Sequence, residues 1–150
     1  MKKLNLPEYS FTITLSENDK QQIYDPYRKK FVLLTPEEWV RQNILQFLIQ
    51  EKDYPPSLIS TEAAIKVNRQ IRRYDALVYD RNGHALMLIE CKAPEIAVNQ
   101  DTFDQISLYN ISIKANYLLV TNGMKHYCCK LNDAENTFDF LKEIPRFSIL

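Results

Sequence analysis

Two charged residues end an apolar run in which a strand is predicted. Glu90 and Lys92 close the stretch Ala85-Leu86-Met87-Leu88-Ile89, which is typical of a strand buried on both faces. Because strand residues two apart share a face, we expect both charges to point the same way as Leu86 and Leu88. An acid and an amine among hydrocarbon are costly unless they meet charged partners or a metal ion. The end of this strand is therefore the first candidate site.

Asp75 adds a second carboxylate to this candidate site. It directly precedes the apolar segment Ala76-Leu77-Val78-Tyr79. We expect Asp75 and this segment to lie on a strand that pairs with the strand of Glu90. Two carboxylates that close repel, and each raises the pKa of the other unless a cation neutralises them. Mg²⁺ or Mn²⁺ takes such hard oxygen ligands. With Lys92 to orient water or neutralise developing charge, the three residues predict metal-assisted phosphodiester hydrolysis.

The same three residues also fit a buried ion-pair network without chemistry, whose effect is to hold the strand register. The spacing Asp-(x14)-Glu-x-Lys does not by itself distinguish a network from a metal site. Both interpretations stay open at this point.

The composition indicates one domain over residues 1–150, with residues 1–34 as a less regular N-terminal extension. Lys plus Arg and Asp plus Glu both number 19, so the chain lacks the global basic field common in nucleic-acid-binding proteins. Basic residues cluster locally around one predicted turn, either as phosphate contacts or as a solvated hairpin tip. They are Lys66, Arg69, Arg72 and Arg73.

The cysteines and the N-terminus indicate a cytoplasmic protein. Cys91, Cys128 and Cys129 have no metal-ligand spacing, and we expect buried thiols in a reducing compartment. The polar N-terminus has no apolar signal core, and no apolar stretch is long enough to span a bilayer. We therefore expect no membrane association.

The pattern of the remaining chain predicts an α/β (α+β) fold. A helix from Pro36 to Lys52 begins at Thr35, a good N-cap, and a last short helix is expected over Thr137 to Glu143. Between them we expect three meandering strands, a second helix and two further strands, the last after the turn Asn122-Gly123. These elements are Leu58 to Val67, Ile71 to Tyr79, Ala85 to Lys92, Asn99 to Lys114, Tyr117 to Val120 and Lys125 to Leu131. A strand, a helix and another buried strand imply a parallel crossover, giving a mixed sheet flanked by helices with an αβββαβ core.

Several motifs resemble the N-terminal nuclease domain of type I restriction enzyme R subunits, in its short stand-alone form. The most specific are Glu90-Cys91-Lys92-Ala93-Pro94, with Asp75 upstream, and the pair Gln105 and Tyr109. Further similar segments are Arg28-Lys29-Lys30, Leu34-Thr35-Pro36-Glu37-Glu38-Trp39-Val40-Arg41-Gln42 and Val120-Thr121-Asn122-Gly123. The resemblance covers about residues 24 to 145 and implies the restriction-endonuclease-like fold of PD-(D/E)xK nucleases.

The resemblance implies a Mg²⁺-dependent (or Mn²⁺-dependent) DNA endonuclease in a restriction-modification system. In that family the residues matching Asp75 and Glu90 bind the metal, the Cys91 carbonyl adds a ligand, and Lys92 is catalytic. Gln105 and Tyr109, four apart on one helix face, support the site and contact DNA, whereas without the resemblance Tyr109 reads as a core residue. A further metal-binding carboxylate is expected from Glu38 or Glu62, although Glu38 also suits a capping box.

R subunits also carry an ATP-driven translocase. This chain has only two glycines, Gly83 and Gly123, so it contains no G-x-x-x-x-G-K-[ST] phosphate loop. We expect it to act on double-stranded DNA together with a separate ATP-driven translocase or other restriction subunits, or to be a free-standing domain. The alternative is a non-catalytic DNA-binding or subunit-interaction module on a nuclease-like scaffold.

Overall fold

The protein is described by a computed structural model, which gives the backbone of residues 1–61, 64–67 and 70–150 and the side chains of residues 1–61 and 73–150. The helices are α1 (Pro36–Lys52) and α2 (Gln100–Ile113), with short 3-10 turns at Pro56–Leu58 and Phe147–Ile149. The strands are β1 (Ile13–Leu15), β2 (Gln21–Asp25), β3 (Lys30–Leu33), β4 (Ile59–Thr61), β5 (Ala64–Val67), β6 (Gln70–Arg73), β7 (Ala76–Tyr79), β8 (Ala85–Cys91), β9 (Tyr117–Thr121), β10 (His126–Asn132) and β11 (Thr137–Phe140).

A six-stranded mixed sheet carries the core, in the order β11-β10-β9-β8-β7-β4. β8 and β9 pair in parallel, and the other neighbours pair antiparallel. Alternate residues of β8 face opposite helices: Ile89 packs in a cluster with Ile44 of α1, and Leu88 packs in a second cluster with Ile106 of α2. The predicted parallel crossover through α2 and the mixed sheet flanked by helices are confirmed.

Both helices begin and end near the predicted residues. The Thr35 hydroxyl accepts the Glu38 N–H at 3.0 Å, and the Asn99 side chain caps α2 by accepting the Thr102 N–H at 3.2 Å. α1 ends at Lys52, and the next residue, Asp53, has a left-handed backbone with a φ of 61°. This backbone lets the Tyr54 N–H donate to Leu48 O at 3.0 Å, which satisfies a carbonyl of the last helical turn. Local capping therefore sets the helix limits that the sequence predicts.

The first two predicted strands of the meander pair in one antiparallel register. β4 pairs with β7 and β5 pairs with β6, with Thr61 opposite Ala76 and Ala64 opposite Arg73, so the pairing predicted between Leu58 to Val67 and Ile71 to Tyr79 is confirmed. The second strand is interrupted, because the chain bends at Asp75, between β6 and β7. The bend occurs where the Asp75 side chain bonds to β8.

The helix predicted over Thr137 to Glu143 is wrong. Residues Thr137–Phe140 form β11, which pairs antiparallel with β10. The segment Thr-Phe-Asp-Phe alternates with the period of a strand, and the open edge of β10 supplies its backbone partners. Phe140 then stacks edge-on against Phe103 of α2, with ring centroids 5.2 Å apart.

The first 34 residues include a three-stranded antiparallel sheet of β1, β2 and β3. The three cysteines are free and buried, as predicted. Among the described residues, no helix is long and apolar enough to cross a membrane.

Gly123 permits a close approach between the β9–β10 turn and the N-terminal segment. Its φ is 84°, and a methyl group built there would lie 2.7 Å from Leu4 Cδ2 and 3.1 Å from Val40 Cγ2. Gly83, in the β7–β8 turn, has a φ of 83° but nothing within 4 Å of such a methyl group. Comparing an alanine substitution at the two glycines therefore separates the stability cost of backbone strain from the cost of steric overlap.

We predict that Gly83→Ala lowers the free energy of unfolding by about 1 kcal/mol, from left-handed backbone strain alone. Gly123→Ala should cost about 1 kcal/mol more, because Leu4 must also move. Urea unfolding of both variants measures the difference, and Leu4→Ala should reduce it. Equal costs for the two glycine substitutions would contradict the predicted contact.

Candidate active site

The sheet brings Asp75 and Glu90 opposite each other. Ala76 pairs with Ile89 across β7 and β8, so the next position along places Asp75 beside Glu90. The Cys91 N–H, at the end of β8, donates to Asp75 Oδ2 at 2.7 Å. Because N–H groups alternate sides along a strand and the Lys92 N–H donates to Thr121 O on the β9 side, the Cys91 N–H faces β7. Asp75 thus takes the place of a backbone acceptor at the end of the ladder.

Glu90 and Lys92 lie together on the face of β8 that also carries Leu88. The Lys92 ammonium is 3.6 Å from Glu90 Oε1, and the two side chains are 28% and 16% exposed, respectively. The other oxygen, Glu90 Oε2, is buried and accepts no hydrogen bond from any described residue. One carboxylate oxygen therefore has a charged neighbour, and the other is left for a ligand or a cation.

Burial is the largest cause that raises the pKa values of both acids. For Asp75 the negative charge of Glu37 adds to burial, and the Cys91 N–H, Lys92 and a side-chain hydrogen bond from Glu90 oppose it. For Glu90 the causes are burial, then the charge of Asp75, with Lys92 opposing. Lys92 does not offset the burial and the repulsion, so the site favours an added cation or a proton.

Glu37 is the acidic neighbour that the sequence reasoning missed. It is exposed at the start of α1 and, with Glu38, Arg41, Asp75 and Ala93, lines a cleft of about 450 Å³. Its charge raises the pKa of both Asp75 and Glu90. The cleft opens Asp75 to solvent beside the N-terminus of α1.

Glu38, the first-helix acid favoured by sequence, points into an ion-pair cluster. Its carboxylate accepts hydrogen bonds from Arg41 Nε at 2.8 Å, from Arg28 Nη2 at 2.9 Å and from Gln42 Nε2 at 3.2 Å. The fully buried Asp25 binds the same two arginines. The Thr35 N–H donates to Leu33 O, so the reciprocal half of a capping box is not made. Arg41, three residues after Glu38, was the sequence signal for this pairing.

Cys91 contributes its backbone to the site. Its thiol is fully buried on the α1 side of the sheet, where burial raises its pKa well above the ordinary value. A thiol in that state is neither a nucleophile nor a metal ligand. Metal binding by the Cys91 carbonyl stays a prediction.

The remaining predicted site residues are placed differently. On α2, Gln105 is exposed, and Tyr109 is half-buried against the cluster that contains Ile106. Arg73 is exposed at the end of β6. The predictions for Glu62, Lys66, Arg69 and Arg72 concern side chains outside the described residues.

The described residues contain no group of three or more His, Cys, Asp or Glu side chains arranged to hold a metal ion. Among the described residues, the candidate metal ligands are therefore the pair Asp75 and Glu90, with the charge of Glu37 nearby. Any third protein ligand would have to come from the backbone or from outside those residues.

Comparisons with known proteins agree with this architecture. The model of the family "Type I restriction enzyme R protein N terminus" matches residues 36–145. A fragment assigned as an HsdR subunit of a type I restriction enzyme from Vibrio vulnificus YJ016 superposes with a TM-score of 0.53 at 16% identity, over 75% of this chain and 24% of that one. This chain therefore spans about a quarter of that structure's length.

A protein from Anabaena variabilis ATCC 29413, assigned as a nuclease of the DUF820 group, gives a TM-score of 0.49 at 12% identity, over 89% of this chain and 86% of that one. No curated protein matches the sequence. The fold is shared with the Vibrio fragment, and the family model covers most of the chain, including Asp75, Glu90 and Lys92. The chain belongs to the family of type I restriction enzyme R protein N-terminal domains.

Proposed function

We propose that the chain is a Mg²⁺- or Mn²⁺-dependent DNA endonuclease domain of the PD-(D/E)xK kind, which hydrolyses phosphodiester bonds. The observation that carries the proposal is the half-buried pair Asp75 and Glu90, with Glu90 Oε2 lacking a described hydrogen-bond partner and Lys92 beside it. A structural ion-pair network would be expected to use both oxygens of a buried carboxylate.

The donor set fits a hard divalent cation. Asp75 and Glu90 would hold it, with the Cys91 carbonyl as the expected backbone ligand and Glu37 adding negative charge from the cleft wall. Carboxylate and carbonyl oxygens are the ligands that Mg²⁺ and Mn²⁺ take, and Mg²⁺ keeps several waters in such sites. When bound, the ion supplies Lewis-acid activation of water and neutralises charge on the phosphate.

The residues of the chain have separate tasks in this proposal. The Cys91 N–H holds the Asp75 carboxylate in one orientation at the end of the sheet. Glu90 holds the Lys92 ammonium within 3.6 Å, where it would stabilise negative charge that develops on the reacting phosphate. The cleft lined by Asp75 and Ala93 would admit a phosphate beside Asp75.

Double-stranded DNA is the proposed substrate. Exposed Arg73, with the basic residues Lys66, Arg69 and Arg72, would contact phosphates and make binding salt-dependent. Gln105 and Tyr109 of α2 would support the site or the DNA. Residues 1–150 contain no phosphate loop, so an ATP-driven translocase acting with this domain would lie outside these residues.

The second candidate is a non-catalytic DNA-binding or subunit-interaction module. It is favoured by the absence of a third metal-ligating side chain among the described residues and by the net charge of zero. Metal affinity separates this candidate from the nuclease.

We predict that the purified chain with Mn²⁺ cuts plasmid DNA and that Lys92→Ala lowers the rate about 100-fold or more, because a charge-stabilising group is removed. Lys142→Ala, at an exposed lysine, is the matched control and should cut as the wild type does. Gel electrophoresis of supercoiled and linear DNA measures the rates. If the wild type and Lys92→Ala leave DNA equally intact, catalysis by the isolated chain is excluded.

We predict that calorimetry detects Mn²⁺ binding that Asp75→Asn and Glu90→Gln each abolish. The neighbours on α1 provide a matched pair. Glu37→Gln should weaken Mn²⁺ binding several-fold by removing a nearby charge, whereas Glu38→Gln should lower stability through the arginine cluster and leave affinity unchanged. If Glu38→Gln weakens Mn²⁺ binding and Glu37→Gln does not, the role proposed for Glu37 at the metal site is wrong.

The raised pKa values predict how stability depends on pH without metal. The folded state binds protons at Asp75 and Glu90 that the unfolded state has released, so these two acids lower stability as the pH rises above the usual carboxyl range. At neutral pH in chelator, Glu90→Gln should raise the free energy of unfolding by about 1–3 kcal/mol. Urea unfolding at acid and neutral pH tests this. A Glu90→Gln protein that is less stable at neutral pH would favour the structural network instead.

A further inference from the structure

Asn122 belongs to the segment Val120-Thr121-Asn122-Gly123, to which the proposed chemistry gives no role. It follows β9 directly, at the turn into β10, and is 6% exposed. Its side-chain amide makes three hydrogen bonds, all to backbone groups. A buried amide with this many fixed partners holds chain segments together.

The turn fixes the orientation of the amide. Asn122 Oδ1 accepts the Met124 N–H at 3.0 Å and the Lys125 N–H at 2.8 Å. Since only the oxygen of an amide accepts hydrogen bonds, Nδ2 must face away from the turn. It donates to Ile96 O at 2.8 Å.

Ile96 closes the turn that follows the candidate catalytic strand. Its N–H donates to Ala93 O at 3.0 Å, and the Lys92 N–H donates to Thr121 O at 2.8 Å. The segment from Lys92 to Ile96 is therefore attached at both ends to the neighbouring strand β9 and its turn, first by Thr121 and then by Asn122.

We propose that Asn122 is a positioning residue for the reaction at Lys92. Its hydrogen bond to Ile96 holds the turn 93–96, and this turn keeps the Lys92 ammonium beside Glu90 and the cleft wall at Ala93 in place. The inference rests on the proposed nuclease function. Displacing a reacting group by about 1 Å lowers rates about 100-fold, so a backbone attachment one turn from Lys92 is sufficient to affect catalysis.

The β9–β10 turn is itself anchored, as a positioning group requires. Thr121 Oγ1 accepts the Gly123 N–H at 2.9 Å and lies 2.7 Å from His126 Nδ1. His126 Nε2 lies 3.0 Å from Asn5 O, and because a carbonyl only accepts, Nε2 is the donor of this hydrogen bond. The Asn5 N–H in turn donates to Gly123 O at 2.8 Å.

Asn122→Asp is the sharpest test. The carboxylate keeps an oxygen for the Met124 and Lys125 N–H groups but turns a second oxygen towards Ile96 O, so the turn survives and its attachment to residues 93–96 is lost. Asn110 provides a matched control. It is also 6% exposed, and its amide makes hydrogen bonds with both the N–H and the carbonyl of Ala115. Ala115 precedes β9, so these bonds lie at the start of the strand whose other end is Thr121.

Asn122→Asp should lower kcat for DNA cleavage about 10- to 100-fold and leave KM within about threefold, because the proposed DNA contacts at Arg73, Gln105 and Tyr109 lie outside the turn. Asn110→Asp should lose similar stability through the same chemistry and keep kcat. Circular dichroism at the assay temperature gives the folded fraction of each protein. Amide hydrogen exchange should accelerate in residues 92–96 of the Asn122 variant only.

An active wild type whose kcat survives Asn122→Asp, or falls equally with Asn110→Asp, overturns this inference alone. A loss confined to KM does the same. A wild type that neither binds Mn²⁺ nor cuts DNA overturns the proposed function and this inference together.

Discussion

The hydrogen bond from the Cys91 N–H to Asp75 Oδ2 joins the acidic site to the sheet. It ends the β7–β8 ladder with a side chain, and it coincides with the bend that separates β6 from β7. The donor is a backbone N–H at the end of a central strand. Because this donor is not on a flexible side chain, the bond fixes the orientation of the Asp75 carboxylate. The positions of Glu90 and Lys92 then follow from the pleat of the same strand.

This geometry concentrates negative charge that the protein does not neutralise. Asp75 and Glu90 are largely buried, Glu37 adds its field, and Lys92 contacts one oxygen. Folding must overcome that repulsion with the apolar clusters on both faces of the sheet. Proteins keep such uncompensated charges mainly where a ligand or a reaction uses them, which supports a functional site over a structural network.

The two adjacent acids of α1 show how similar residues take different roles. Glu38 lies on the buried side of the helix and meets Arg28 and Arg41, which together with Asp25 attach the N-terminal sheet to α1. Glu37, one position earlier, is rotated by about 100° around the helix axis. Both acids line the cleft. Glu38 is held by arginines there, whereas Glu37 is exposed and its charge raises the pKa values of Asp75 and Glu90.

The sequence by itself determined the two helices, the antiparallel meander, the parallel crossover and the residues Asp75, Glu90 and Lys92 as the candidate site. These follow from local capping, turn residues and hydrophobic period, which act over a few neighbours. Only the tertiary structure decided that Glu38 pairs with arginines, that β11 is a strand, and that Asn122 bonds to the turn after Lys92. Each depends on partners far along the chain: Arg28 for Glu38, the free edge of β10 for β11, and Ile96 for Asn122. The pattern of neighbouring residues does not identify partners that are distant in sequence.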